Sequence, residues 1–234
     1  MTFSNSDFKP AGSFAKTSGF KSIIYGPPGS AKTPILNTAP RPILLATEAG
    51  LLSMKGSTIP TCYAHTPSDI DDFFKWLFHS TEPKNFDTIG IDSGSHMCEV
   101  YLTAILNGTS KAGNKVHGQA AYGEMAKCVM DHMRPLYHLA NKHVYCIAKQ
   151  ETITVSGIST TRPFFPGKYL PVELPHMFDA ILRLAIHRIP YNNIGDTLAF
   201  RCLQSIDEIA RNRTGNLLEF EPPDFGALVR KAMM

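Results

Sequence analysis

A chain of 234 residues with 43% hydrophobic and 18% charged residues has the size and composition of one globular domain with a buried core. Its formal net charge of +3 excludes a polyanionic partner held by bulk electrostatics, so any nucleic-acid contact must come from local clusters. Five scattered cysteines (Cys62, Cys98, Cys128, Cys146, Cys202) form no C-x-x-C pair, which argues against a zinc site or disulfide framework and for thiols in a reducing cytoplasm.

Residues 1–19 lack the apolar core of a signal peptide and read as a flexible arm carrying Phe3, Phe8 and Phe14, ahead of a single domain over residues 20–234. No apolar run approaches the roughly 20 residues of a membrane span, so the chain is expected in the cytoplasm. Lys21–Tyr25 is a β-branched and aromatic strand that feeds a glycine turn. Pro42–Thr47 ("PILLAT") and Thr61–His65 ("TCYAH") read as further strands. Ser68 then caps a helix whose Ile70, Phe73, Phe74 and Leu77 share one face. "TIGID" (Thr88–Asp92) is a buried strand, followed by a helix over His96–Leu106. Residues 108–121 form a glycine- and lysine-bearing loop, and Tyr122–Asn141 a helix kinked at Pro135. His143–Ala148 is the next strand, and Gln150 to Pro175 reads as irregular. The runs "FDAILRLAIHRI" and "TLAFRCLQ" pair antiparallel, and a short helix capped by Asp224 closes the chain. Strands alternating with helices, then a late antiparallel pair, predict an α/β fold. Its central sheet is mostly parallel and flanked by helices, with an antiparallel C-terminal edge.

The chemistry concentrates in "GPPGSAKTP": Gly26, Pro27, Pro28, Gly29, Ser30, Ala31, Lys32, Thr33 and Pro34. This is the phosphate loop G-x-x-x-x-G-K-[ST] with Ala31 at the second glycine. Such a loop lets backbone N–H groups converge on phosphate oxygens at a helix start, while its lysine reaches the β- and γ-phosphates and its hydroxyl binds magnesium. The octamer alone is compatible with a chance Gly-Pro turn. An acidic residue at the end of a neighbouring apolar strand is the second requirement, and Asp92 supplies it. The pair predicts binding of ATP with Mg2+. The cost of Ala31 depends on whether its backbone needs a positive φ, and Pro34 falls in a first helical turn, where a missing N–H costs little. The nine histidines show no ligand spacing, and His176 and His187 read as packed side chains.

The series "IIYGPPGSAKT", "PILLATEAGL", "FDTIGIDSGSHM", "HVYCIAKQE", "LPHMFDAILRL" and "ARNRTGNL" resembles the RecA-like P-loop ATPases of phages, in particular the Sak-group single-strand annealing proteins, over about residues 20–230. MCM helicases and MoxR-type ATPases also carry Ala-Lys in the phosphate loop. The resemblance implies that Lys32 and Glu48 are catalytic, Glu48 activating the attacking water. The family often has Asp-x-Glu at this strand end, and Ala46 stands at the Asp position here. Gln150 matches a polar sensor that reads the γ-phosphate and moves the loop behind it. "ARNRTG" is similar to the Lys-Asn-Arg-Phe-Gly segment of RadA-type recombinases, which implies that Arg211 and Arg213 bring charge to a neighbouring subunit's nucleotide. Glu48, Gln150, Arg211 and Arg213 each also admit the plain reading of a solvated side chain.

The resemblance places DNA against two loops. One holds Arg162, Phe164, Phe165, Lys168 and Tyr169; the other holds Lys111, Lys115 and His117. Cations with aromatic rings suit phosphate contact and base stacking, although the phenylalanines could equally pack in the core. The implied partners are single-stranded DNA, further copies of the chain in a ring or filament, and a single-strand binding protein. Two rivals stay open. One is a P-loop kinase of a small substrate, for which no compact arginine-bearing lid is found. The other is a nucleotide-gated assembly module with little hydrolysis.

Overall fold

A computed structural model of the chain describes residues 4, 8–108, 118–189 and 195–234. Strand β1 (Lys21–Tyr25) is buried at all five positions, as a strand covered on both faces must be. It lies between β5 (His143–Val155) and β7 (Ala180–Arg188), parallel to both. Beyond β5 come β4 (Thr88–Asp92), β2 (Pro42–Ala46) and β3 (Thr61–Tyr63), all parallel. Beyond β7 the sheet turns antiparallel, through β8 (Asp196–Arg201) and β10 (Phe220–Glu221). The predicted mostly parallel sheet with an antiparallel C-terminal edge is therefore the observed one.

Neighbouring residues of each central strand feed opposite cores, which is why these strands are apolar throughout. Ile23, Tyr25, Leu45 and Ile91 pack under α3 (Pro67–His79), α4 (Gly94–Leu106) and α5 (Gln119–His138). Ile24, Leu44, Tyr145 and Leu182 pack against Leu36, just beyond the short α2 (Lys32–Ile35), and against Phe225 and Leu228 of α7 (Phe225–Ala232). Asp224 caps α7 as expected, accepting from Ala227 N at 2.8 Å. Within the N-terminal segment, Ala11–Ser18 is a helix (α1) with Phe14 exposed.

Three local readings need correction. Helix α3 is capped by Thr66, not Ser68. Thr66 Oγ1 accepts from Asp69 N at 3.2 Å and the Asp69 carboxylate accepts from Thr66 N at 2.9 Å, a capping box that places Pro67 in the first turn and Ser68 inside it. Most of the stretch from Gln150 to Pro175 is regular rather than irregular, sheet up to Phe164 and helix from Leu170, with only residues 165–169 irregular. β5 continues to Val155, reverses at Ser156 (φ 52°) and Gly157 (φ 80°), and returns as β6 (Ile158–Phe164). Two central turn residues with positive φ match the right-handed twist of a hairpin, and the β-branched run Thr152–Val155 favours extended chain. Finally, α5 begins at Gln119, so the expected 108–121 loop is shorter, and its residues 109–117, with Lys111, Lys115 and His117, lie outside the described residues.

Candidate functional site

The phosphate loop leaves the C-terminal end of β1 and runs into α2. A Cβ on Gly26 would lie 2.0 Å from the carbonyl oxygen of Leu184, so the β7 backbone presses on the loop and only glycine fits. Ala31 has φ 60° and ψ 27°, the left-handed region, and it caps α2. The second glycine of the motif is thus missing where the backbone does ask for one. The methyl group is accommodated at a conformational cost.

Lys32 Nζ donates to Gly26 O at 2.9 Å, Pro27 O at 2.8 Å and Ser30 Oγ at 3.3 Å, which curls the loop around the ammonium group. Burial holds the Lys32 pKa below its usual value, while the nearby Asp92 and Glu48 carboxylates work against that shift. Thr33 Oγ1 donates to Asp92 Oδ2 at 2.6 Å. Burial raises the Asp92 carboxyl pKa, the Thr33 hydroxyl lowers it, Glu48 raises it and Lys32 lowers it. The two residues are 59 apart in sequence, and the parallel strands β1, β5 and β4 bring them together.

Glu48 arrives from the end of β2, whose Ala46 pairs with Asp92. Thr47 locks this junction, its N–H donating to Asp92 O at 2.7 Å and its hydroxyl accepting from Ser93 N at 3.1 Å. Ser93 Oγ donates to Glu48 Oε1 at 2.5 Å and accepts from His96 N at 3.1 Å as the N-cap of α4. Ser93 therefore orients Glu48, a role the sequence reading missed. Its only sequence signal was a helix-capping residue directly after Asp92. Gln150, on β5, completes the wall of a cleft of about 450 Å³ that also exposes Gly29, Lys32, Thr33, Glu48 and Asp92. A larger cleft of about 800 Å³ lies between α3, α4 and α5, but it gathers none of these groups.

A glycine-turn loop, a lysine, a threonine–aspartate pair and a strand-end glutamate thus line one cleft, the kinds of group that the phosphates of a nucleotide require. A family model described as an AAA domain matches residues 18–213. The chain belongs to that AAA-domain family. Among solved structures it is similar to a KaiC-like protein of the hyperthermophilic archaeon Pyrococcus horikoshii OT3, with 12% identity and a TM-score of 0.45, over 78% of this chain and 77% of that one. No curated protein matches it.

The other expected residues of this AAA-domain protein lie apart from the cleft. Arg211 lies in β9 (Arg211–Asn212) and Arg213 directly follows it; the strand pairs with the first residues of β7. That is the opposite end of the sheet from the phosphate loop. Arg211 donates to Pro175 O and, at 3.0 Å, to Phe178 O, while the exposed Arg213 donates to His176 O at 2.5 Å. Both arginines therefore bind carbonyls at the end of α6 (Leu170–Met177) and neither reaches the nucleotide cleft of its own chain. Arg162 on β6 donates to Glu151 Oε1 at 2.8 Å, Phe164 is half-buried and Phe165 is a core residue. Lys168 is exposed just before α6. Among the described residues no helix is long and apolar enough to cross a membrane.

Proposed function

We propose that this protein hydrolyses ATP with magnesium and acts on single-stranded DNA in recombination or annealing, as a RecA-like ATPase of the Sak group. The observation that carries the nucleotide chemistry is the 2.6 Å contact of Thr33 with Asp92 beside Lys32, Glu48 and Gln150. The donor set fits magnesium. A hydroxyl and a carboxylate are hard oxygen ligands, and among the described residues no cluster of three His, Cys, Asp or Glu side chains forms a closed cage. That is the pattern of an ion held by one or two protein oxygens and completed by phosphates and water. When bound, the ion neutralises charge on the phosphate oxygens.

Lys32 turns its ammonium group from its own loop carbonyls to the β- and γ-phosphates. Glu48, held by Ser93, orients a water in line with the γ-phosphorus and accepts its proton as the bond to the β–γ bridging oxygen breaks, leaving ADP and phosphate. Gln150 contacts the γ-phosphate and heads the β5–β6 hairpin, which links nucleotide state to the DNA-facing residues Arg162, Phe164 and Lys168; the resemblance gives Lys111 and Lys115 the same role. Arg213, with Arg211, serves the nucleotide of a neighbouring copy in a ring or filament. A single-strand binding protein is a further partner on this reading.

The test is ATP turnover with and without single-stranded DNA, for the natural chain and for Lys32→Ala. We expect stimulation by DNA and, in the variant, loss of ATP binding with the fold retained. Turnover that ignores DNA and instead requires a small phosphoryl acceptor would overturn the DNA reading, and unchanged ATP affinity in Lys32→Ala would overturn the site.

A further inference from the structure

Gln150 is an amide, and an amide can face a phosphate in two ways. Turned one way it offers N–H donors; turned the other it sets a carbonyl oxygen against phosphate oxygens, which only accept. Something must choose between the two. Strand β1 lies between β5 and β7, with Tyr25 paired to Ala148 on one side and to Arg183 on the other. Gln150 stands two residues beyond Ala148 on β5, and Arg183 Nε donates to Gln150 Oε1 at 3.3 Å. A guanidinium has donors and no acceptor, so the oxygen of the amide faces Arg183 and its NH2 group is left for the cleft.

Arg183 is itself held. Its Nη1 pairs with Glu208, whose Oε2 lies 3.5 Å from Arg201 Nε, and the side chains of Arg183 and Glu208 are only 15% and 14% exposed. The segment carrying Glu208 is bound to β6, since Thr161 N donates to Asp207 O at 2.7 Å and Ile209 N donates to Thr161 O at 2.9 Å. Tyr25, the residue before Gly26, donates its hydroxyl to Ile209 O at 2.8 Å and to Thr161 O at 3.1 Å. The guanidinium is thus anchored to a hydrogen-bonded block that joins the hairpin to the start of the phosphate loop.

We propose that Arg183 is the positioning residue of the γ-phosphate sensor, fixing the Gln150 amide with its NH2 group toward the terminal phosphate while Glu208 fixes Arg183. The inference rests on the nucleotide reading above and adds a residue outside the P-loop motifs. It is tested by a double-mutant cycle of Arg183→Met and Gln150→Ala, reading affinity for a non-hydrolysable ATP analogue and for ADP by titration. With Arg183→Met the amide is free to flip, and the analogue should bind about 10-fold more weakly, the scale of one hydrogen bond to a charged group, while ADP affinity moves less than about twofold. Adding Arg183→Met to Gln150→Ala should change analogue affinity no further, because the two residues act as one unit. If the double mutant loses the sum of both effects, or if ADP and the analogue weaken equally, Arg183 is only a structural partner and the proposal is wrong. Should Arg183→Met fail to fold, Arg183→Lys keeps the charge beside Glu208 but not the fork, and the same ATP-selective, non-additive loss is expected. A natural chain that binds ADP and the analogue alike, with Gln150→Ala silent, would instead overturn the sensor role itself, and the inference with it.

Discussion

Replacing Ala31 with glycine should stabilise this protein, although in a helix interior the same exchange costs about 1 kcal/mol. The reason is the backbone at Ala31, with φ 60° and ψ 27°. A left-handed conformation crowds Cβ against the following carbonyl and costs an L-residue about 1–2 kcal/mol, a term that glycine does not carry. Against this, glycine gives the unfolded chain more freedom, worth about 0.4–1 kcal/mol in the other direction. The net gain is about 0.5–1 kcal/mol. For a chain of this size each kcal/mol moves Tm by about 2–4 °C, so the variant should melt about 1–4 °C higher. Urea unfolding should show a higher midpoint at an unchanged slope, since the buried surface does not change. An unchanged or lower Tm would refute the reasoning, and would mean that the loop relaxes out of the left-handed region at no cost.

Glu48→Gln keeps the side chain's shape and its acceptor toward Ser93 but removes the base, so ATP should bind as before while phosphate release falls by about 10²–10⁴-fold; retained turnover would take Glu48 out of the chemistry. His187 is held down to about 4, first by burial and then by Arg183 and Arg201, against about 6.5 in the unfolded chain. Between those values only the unfolded chain takes up the proton, so stability is lost as pH falls from 6.5 toward 4, by up to about 3 kcal/mol, and His187→Leu should flatten that limb in urea titrations; parallel pH profiles would refute it.

The parts of the site that were legible in the sequence are those that covalent spacing fixes. Gly26 to Thr33 must lie together because they are one turn, and Asp92 ends an apolar strand long enough to be central. Gln150 and Glu48 could be named only through a family resemblance, yet β2 and β5 do deliver both to the cleft. Ser93 and Arg183 were illegible for one reason. Each acts on a partner 45 or 33 residues away, and no local pattern marks a serine that caps a helix, or an arginine in a strand, as the one that reaches it. The hairpin was misread because its prolines and glycines look like breakers, whereas Gly157 is the turn itself and Pro163 lies within β6. For the arginines of "ARNRTG" the sequence shows charge but not placement, since nothing local says that within one chain carbonyls at the end of α6 hold them.

The site's charges argue for what it is built to receive. Burial acts on both members of the central pair in the same sense, against charge, lowering Lys32 and raising Asp92 even though they attract one another. Attraction within the chain therefore does not make up for what burial removes. Each group leans on a neutral neighbour, Lys32 on loop carbonyls and Asp92 on the Thr33 hydroxyl. These bonds are charged on one side only, and a partner of opposite charge adds the direct attraction between two ions, which is larger in a buried site than in water. A phosphate beside Lys32 and a divalent cation beside Asp92 replace neutral partners with charged ones at both positions. A phosphate and a divalent cation bound there would oppose both shifts and favour the folded chain by linkage, with the strength of the effect set by ligand concentration over Kd. A magnesium–nucleotide brings both charges at once, whereas free phosphate or free magnesium brings an opposite charge to only one of the two groups.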